Sequence, residues 1–418
     1  MKNTNIKNCA SKVELSNWLT SPLAIRESCL LIYQAGLNRE LAHFEIDLDK
    51  LEEVVGYVKA TIFENYPTLN IPMHSRWRHF QLQGKDRWKQ IATQFDLDGE
   101  EKTRVSIELV VCSVLVDAGA GNLWRYRDPE TGLVVSRSEG LAIASLNAFA
   151  GGLFSSDPSN PASADLEGLS NLTIEKFAEA FQVTSDNPLE GVEGRVSLLN
   201  SLGLILEENL DIFDRSSKIR IGNLFDYLKA DISGDRLEAI KIFNFIITIF
   251  GSIWPGRIVL EGINLGDTWP HPAVVSEKNP RGLTPFHKLS QWLTYSLIEP
   301  FQAAGIRITE VESLTALAEY RNGGLLIDFG LLIPKDNKAF SRSYAQSDEL
   351  VVEWRALTIS LIDIIAGELR RSLKMNPNSL PMTKILEGGT WAAGRAIALS
   401  KRRTGCPPIN FSSDGSIF

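Results

Sequence analysis

Glu349–Leu373 reads ELVVEWRALTISLIDIIAGELRRSL, and how this stretch folds decides the class of the protein. Its large apolar residues Leu350, Trp354, Leu357, Leu361, Ile365 and Leu369 recur every three or four positions. That is the period of one helix face, not the alternation of a strand. The same periodicity predicts helices over 11–35, 47–65, 103–117, 138–151, 173–181 and 196–209. Further helices are expected over 223–228, 236–250, 285–304, 313–320 and 382–403. Ser138-Glu139 and Thr173-Ile174-Glu175 place an acid in a first turn, where the helix dipole favours it. Strands are expected only at 257–261, 325–329 and 331–334. The expected fold class is mainly α, a multi-helix globular protein with a small β-sheet.

The chain of 418 residues is 44% hydrophobic and 22% charged, an ordinary composition for a protein with a sizeable core. Its length allows two or three units, or one large domain. The polar stretch SSDPSNPASAD at 155–165 reads as a linker or surface loop. It would divide an N-terminal helical region, 1–154, from a C-terminal region with short strands, 166–418; the alternative is one integrated domain. A net charge of −8 argues against a nucleic-acid partner, whose binding draws on cations facing phosphate. No apolar run reaches the length of a membrane span, and Ile242–Trp254, broken by Asn244, Thr248 and Gly251, reads as a buried helix. The N-terminus lacks the apolar core of a secretory leader. Cys9, Cys29, Cys112 and Cys406 are scattered, with neither zinc-ligand spacing nor a disulfide framework, so a cytoplasmic location is expected. Phosphate-loop, dinucleotide, nucleophile-elbow and HExxH motifs are absent, and the expectation is no cofactor and no metal.

Five constellations carry chemistry-bearing side chains. In EYRNGGLLIDFGLLIPKD, 319–336, Asp328 is the sole ionisable residue between Gly323 and Pro334. A carboxylate in such a run is a candidate acid, base or charge stabiliser; the structural alternative is an ion pair, for instance with Arg321. Tyr320, Arg321 and Asn322 stand beside it as binding candidates. In SRWRHF, Arg76, Trp77, Arg78 and His79 offer planar cations for phosphate or carboxylate and an aromatic face. If this segment is helical, Arg76 and His79 share a face; if extended, Arg76 and Arg78 do. GDTWPHP supplies Asp267, Trp269 and His271 on a rigid loop, with a turn as the structural alternative. In the 349–373 helix, Glu353 and Arg355 cannot share one face and must have different partners, while Asp363 is a second acid in apolar surroundings. Gly388-Gly389-Thr390-Trp391 ahead of Arg395, like Arg137-Ser138-Glu139, reads as a helix cap first and an anion site second.

Taken in order, several of these segments resemble one family. They are SRWRHF, WRYRDPETG with SRSEGLAIASL, GNLFDYL, GDTWPHP, EYRNGGLLIDFGLLIP, VEWRALT, LEGGTWAAGRAIA and the terminal SDGSIF. Together, over nearly the whole chain, they resemble the Urc/Urg-type uracil-catabolism proteins, although SDGSIF stands where SDGTVF is usual. The resemblance implies a place in a ring-opening pyrimidine degradation pathway, beside a cyclohydrolase-like partner. It implies as substrate a small phosphorylated riboside or nucleotide, and as reaction the hydrolysis of an N-glycosidic bond such as that of ribosylurea 5′-phosphate. On that reading Asp328 would stabilise the oxocarbenium-like transition state, and Arg76, Arg78 and Arg321 would clamp phosphate. Asn322, Asp267 and Glu353 would bind the ureido fragment, and Trp77, Trp269 and Trp354 would exclude water. LLIDFGLLIP also resembles the Asp-centred motif of the queuosine-salvage N-glycosylases, which implies a DNA-glycosylase-like fold. The alternatives are an amidohydrolase acting on a ureido intermediate, and a non-catalytic nucleotide sensor or scaffold.

Overall fold

A computed structural model describes residues 14–215, 218–255 and 258–411. The expected absence of a leader and the terminal SDGSIF with Phe418 fall on residues outside the described ones, as does Arg257. The chain divides into two compact units. Of the described residues, the first takes 14–74, 258–291 and 310–411, and the second takes 75–215, 218–255 and 292–309. The stretch 155–165 lies inside the second unit.

Buried on all sides from Leu350 to Ile362, its charged Glu353 and Arg355 included, the helix Glu349–Leu373 forms the centre of the first unit. Each of its fully buried Leu and Ile side chains contributes about 1.5–3 kcal/mol of transfer free energy. Three helices pack on it, Pro22–Leu37, Leu51–Asn65 and Tyr320–Asp328. The first begins at Pro22 because Ser21 caps it, its hydroxyl accepting the N–H of Ala24, and a short helical stretch at 14–19 precedes it. Tyr320–Asp328 overturns two expectations at once, the helix over 313–320 and the strand over 325–329. A short apolar run reads alike for a strand and a buried helix. The choice is made by Glu319, whose carboxylate accepts the N–H groups of Arg321 at 2.7 Å and Asn322 at 2.5 Å and so starts the helix there. Beyond it, Leu332–Pro334 is a strand, as expected, paired antiparallel with Phe44–Ile46.

The helix expected over 382–403 is Met382–Ile385, a π-helical turn Leu386–Thr390, and Trp391–Lys401. Gly388-Gly389-Thr390 is therefore inside a continuous helical run rather than at a free helix start, which corrects the reading of these residues as a cap. A Cβ on Gly389 would lie 2.9 Å from Val58, so the glycines let the Leu51–Asn65 helix approach.

In the second unit the helix Gly99–Leu115 is buried continuously from Val105 to Leu115 and packs on Arg137–Ala150 and Val192–Glu208. Its fully buried Glu108 is matched by Arg220 and by the N–H groups of Ala164 and Gly222, each 3.0 Å away. Ala239–Ile249 is the buried helix expected around Ile242. Among the described residues every sheet has two strands, so the protein is mainly α with small paired ribbons, and no helix is long and apolar enough to cross a membrane. Among the described residues, Cys29, Cys112 and Cys406 form no disulfide.

Candidate functional site

In the first unit two of the sequence constellations, far apart in the chain, come together. Thr268–Pro270 pairs antiparallel with Leu283–Pro285, and this ribbon holds Asp267 at one end and His271 at the other. The Glu349–Leu373 helix presents Arg355 to the first and Glu353 to the second, so its two neighbouring charges do have different partners.

Asp267 and Arg355 form a bidentate pair, both hydrogen bonds 2.7 Å long. The remaining capacity of the carboxylate is taken by the indole N–H of Trp269 at 2.8 Å and the backbone N–H of Lys288 at 3.1 Å. The Arg355 guanidinium also lies 4.2 Å from the ring centre of Phe286. Burial opposes the charge on Asp267, but Arg355 and these hydrogen bonds outweigh it and hold the carboxyl well below the usual range. Every lone pair suited to a ligand is occupied, so this pair organises the ribbon against the helix.

Glu353 is differently placed. It is fully buried, and its two oxygens accept the N–H groups of Ala42 and His43, each at 3.0 Å. His271 is 2% exposed, and its Nδ1 accepts the N–H of Ala273, so the neutral ring carries its proton on Nε2. That N–H has no hydrogen-bond partner and lies 3.5 Å from Glu353 Oε1. Glu353 and His271 open on a pocket of about 480 Å³ whose other polar residues are Gln34, Asn38, Glu40 and Glu349. Among the residues that line it there is no lysine or arginine. Metal-ligating atoms of His43, Glu349 and Glu353 all lie within 4.8 Å of one another.

The remaining sequence candidates are committed elsewhere. Asp328 sits at the C-terminal end of its helix and forms two 2.6 Å hydrogen bonds with Arg402, whose Nε donates to Cys406 O. Its partner is thus Arg402 rather than Arg321. A carboxylate is disfavoured at a helix C-terminus, and the guanidinium offsets that. Arg321 donates to Gly405 O at 2.7 Å and lies 4.8 Å from the ring centre of Tyr320, and Asn322 donates to Leu317 O at 3.1 Å. Asp363 pairs with Arg26 at 3.2 Å, burial pushing its carboxyl up against the opposing guanidinium.

In the second unit Arg76–Phe80 is a 3-10 helix, and its three-residue period brings Arg76 Nη1 within 3.3 Å of His79 Nδ1. Arg76 is wholly buried and bonded to Asp117 at 2.6 Å and Ser113 at 2.7 Å. Trp77 donates to Ser296 O at 2.8 Å, and Arg78 pairs with Glu299 at 2.5 Å.

Sequence reasoning missed Gln34, Asn38, Glu40 and Glu349 in the pocket lining, and His43 beside Glu349 and Glu353. Glu349 was legible, since it lies four residues before Glu353 and on the same helix face. His43 carried no signal, because only the tertiary fold brings its loop to that helix.

A helical protein with an acidic pocket beside a buried imidazole is the class that the fold and the site define. Its family is shown by comparison: residues 18–418 match the family described as "Protein of unknown function (DUF1688)", and the chain belongs to it. The chain is 36% identical over 405 residues to Protein urg3 of Schizosaccharomyces pombe, covering 94% of this chain and 96% of that protein. It is 37% identical over 410 residues to Uracil catabolism protein 4 of Lachancea kluyveri, covering 90% and 92%.

Proposed function

We propose that this protein acts in uracil catabolism as a hydrolase of an N-ribosyl bond, with ribosylurea or its 5′-phosphate as the substrate class. The name of its relative, Uracil catabolism protein 4, supports the pathway. One observation supports the reaction class: Glu349, Glu353 and the unpartnered Nε2–H of His271 meet in a small pocket that has no cationic side chain in its lining. Cleavage of the C1′–N bond builds positive charge on the sugar ring, and carboxylates facing the ring stabilise that charge. Water adds its oxygen to C1′, the nitrogen leaves with the bonding pair, and the departing fragment takes up a proton.

Under this reading the reacting carboxylate is Glu353 and not Asp328, whose oxygens are held by Arg402. The acidic lining suits the ring better than a phosphate, so a 5′-phosphate would project outward. A second reading, an amidohydrolase acting on a ureido intermediate, is favoured by the grouping of His43, Glu349 and Glu353, a ligand set suited to activating water.

A product assay on the purified chain separates the two. Ribosylurea, ribosylurea 5′-phosphate, uridine and UMP are offered, and mass spectrometry follows ribose, ribose 5-phosphate, urea and ammonia. Free sugar with urea is expected from one of the ribosylureas. Glu353→Gln and Glu349→Gln should each lower turnover on the order of 100-fold or more, while Asp328→Asn leaves most of it. Ammonia released with the sugar link intact would install the amidohydrolase. Wild-type turnover by Glu353→Gln would remove this pocket from the chemistry.

A further inference from the structure

We propose that His43, Glu349 and Glu353 bind a divalent transition-metal ion, with the Nε2–H of His271 placed to donate to a metal-bound oxygen. The inference goes beyond the hydrolase reading and does not depend on it, because binding is measured without turnover.

The ligand set follows from the local backbone. Glu349 and Glu353 lie one helical turn apart on one face of the central helix, where two carboxylates repel each other unless a cation intervenes. Glu40 adds a third acid to the same pocket. Glu353 is oriented by the N–H groups of Ala42 and His43, and the second of these comes from the residue that supplies the imidazole. Such bonds to a carboxylate ligand are the outer-shell contacts that fix metal sites. The three ligand atoms lie within 4.8 Å of one another. Bonds of roughly 2.0–2.2 Å to one ion need them about an ångström or so closer. His43 and Glu349 are half-buried, and closing on an ion requires their side chains to rotate.

An independent observation is His271. Its ring is 2% exposed, its Nδ1 is occupied as an acceptor from Ala273, and its Nε2–H has no hydrogen-bond partner while lining the same pocket. A buried donor aimed into an acidic pocket calls for an acceptor there, and a metal-bound water or hydroxide is one. With its proton on Nε2 the ring serves as donor rather than ligand. An imidazole beside two carboxylates suits zinc or manganese better than calcium or magnesium. Three protein ligands leave positions for water or substrate, the mark of a reactive site and not a closed structural one.

The test uses the full-length chain stripped with a chelator and dialysed free of it. Zinc and manganese are titrated separately by calorimetry, with metal content after gel filtration measured by mass spectrometry and thermal unfolding run with and without metal. One equivalent of at least one of these ions is expected to bind, with an upward shift of the unfolding temperature. His43→Ala and Glu349→Gln should each weaken binding at least 10-fold, and His271→Gln less. Both ligand residues are only half-buried, and unfolding of the metal-free variants checks that they fold. Failure of the wild-type chain to bind either ion overturns the proposal. So does binding that survives unchanged in both His43→Ala and Glu349→Gln. Neither outcome bears on whether the chain cleaves ribosylurea, which the product assay decides by itself.

Discussion

Arg355, 1% exposed, carries a full charge into the core of the first unit, and Asp267 is what makes that tolerable. Removing one partner of such a pair leaves the other charge buried alone, so Asp267→Asn should destabilise the protein by about 3–5 kcal/mol at pH 7. The folded carboxyl lies below its unfolded value of about 3.9. Its contribution is therefore complete at neutral pH and is lost as pH falls below about 4 toward the folded value. In urea unfolding the gap between wild type and Asp267→Asn should narrow by about 1.4 kcal/mol per pH unit below pH 4. A gap that stays constant down to pH 2.5 would mean that Asp267 is not depressed. Asp328 is a milder case, since Arg402 is 25% exposed and can return to water. Asp328→Asn should cost roughly 1–3 kcal/mol, the scale of hydrogen bonds to a charged group, read as a lower urea midpoint at an unchanged slope.

At the scale of elements, the helices Tyr320–Asp328 and Trp391–Lys401 pack closely. A Cβ on Gly394 would stand 2.1 Å from the carbonyl oxygen of Arg321, and one on Gly323 would stand 2.5 Å from the indole nitrogen of Trp354. The obstacle at Gly394 is backbone, which cannot rotate away. Gly394→Ala should therefore destabilise by about 1–3 kcal/mol. Gly367 is the contrast: it is exposed in the middle of the central helix and an added Cβ meets nothing within 4 Å. Gly367→Ala should stabilise by about 0.4–1 kcal/mol, through helix propensity and a less disordered unfolded chain. Thermal unfolding of the two variants side by side checks both signs. These glycines also explain the misread strand. Gly323 and Gly324 look like a strand boundary in a linear reading, whereas their real use is to let other elements close on a helix.

For the whole molecule, the order of segments decides what can fold. The first unit is assembled from three stretches of chain, and the helix Pro22–Leu37 from the first packs on Glu349–Leu373 from the last. A fragment 166–418 lacks that helix, and it also lacks Gly99–Leu115 of the second unit. It should show no cooperative thermal transition by circular dichroism; a sharp transition would show that this region is self-sufficient. Helical class was legible in the sequence because a three-to-four-residue apolar period survives whatever the helices pack against. The separate partners of Glu353 and Arg355 were legible for the same local reason, while the face of Arg76 waited on whether SRWRHF is helical or extended. The joining of GDTWPHP to VEWRALT was not, nor was the arrival of His43 beside Glu349 and Glu353. Those contacts join residues 88 and 310 positions apart, and no local period or spacing encodes them. Tertiary structure also supplied the partner of Asp328: an apolar neighbourhood marks a carboxylate as buried, but that a guanidinium meets it depends on where Arg402 returns. Local periodicity thus determined the elements, while the packing of distant segments decided which of their charges are spent on holding the fold and which remain open to a ligand.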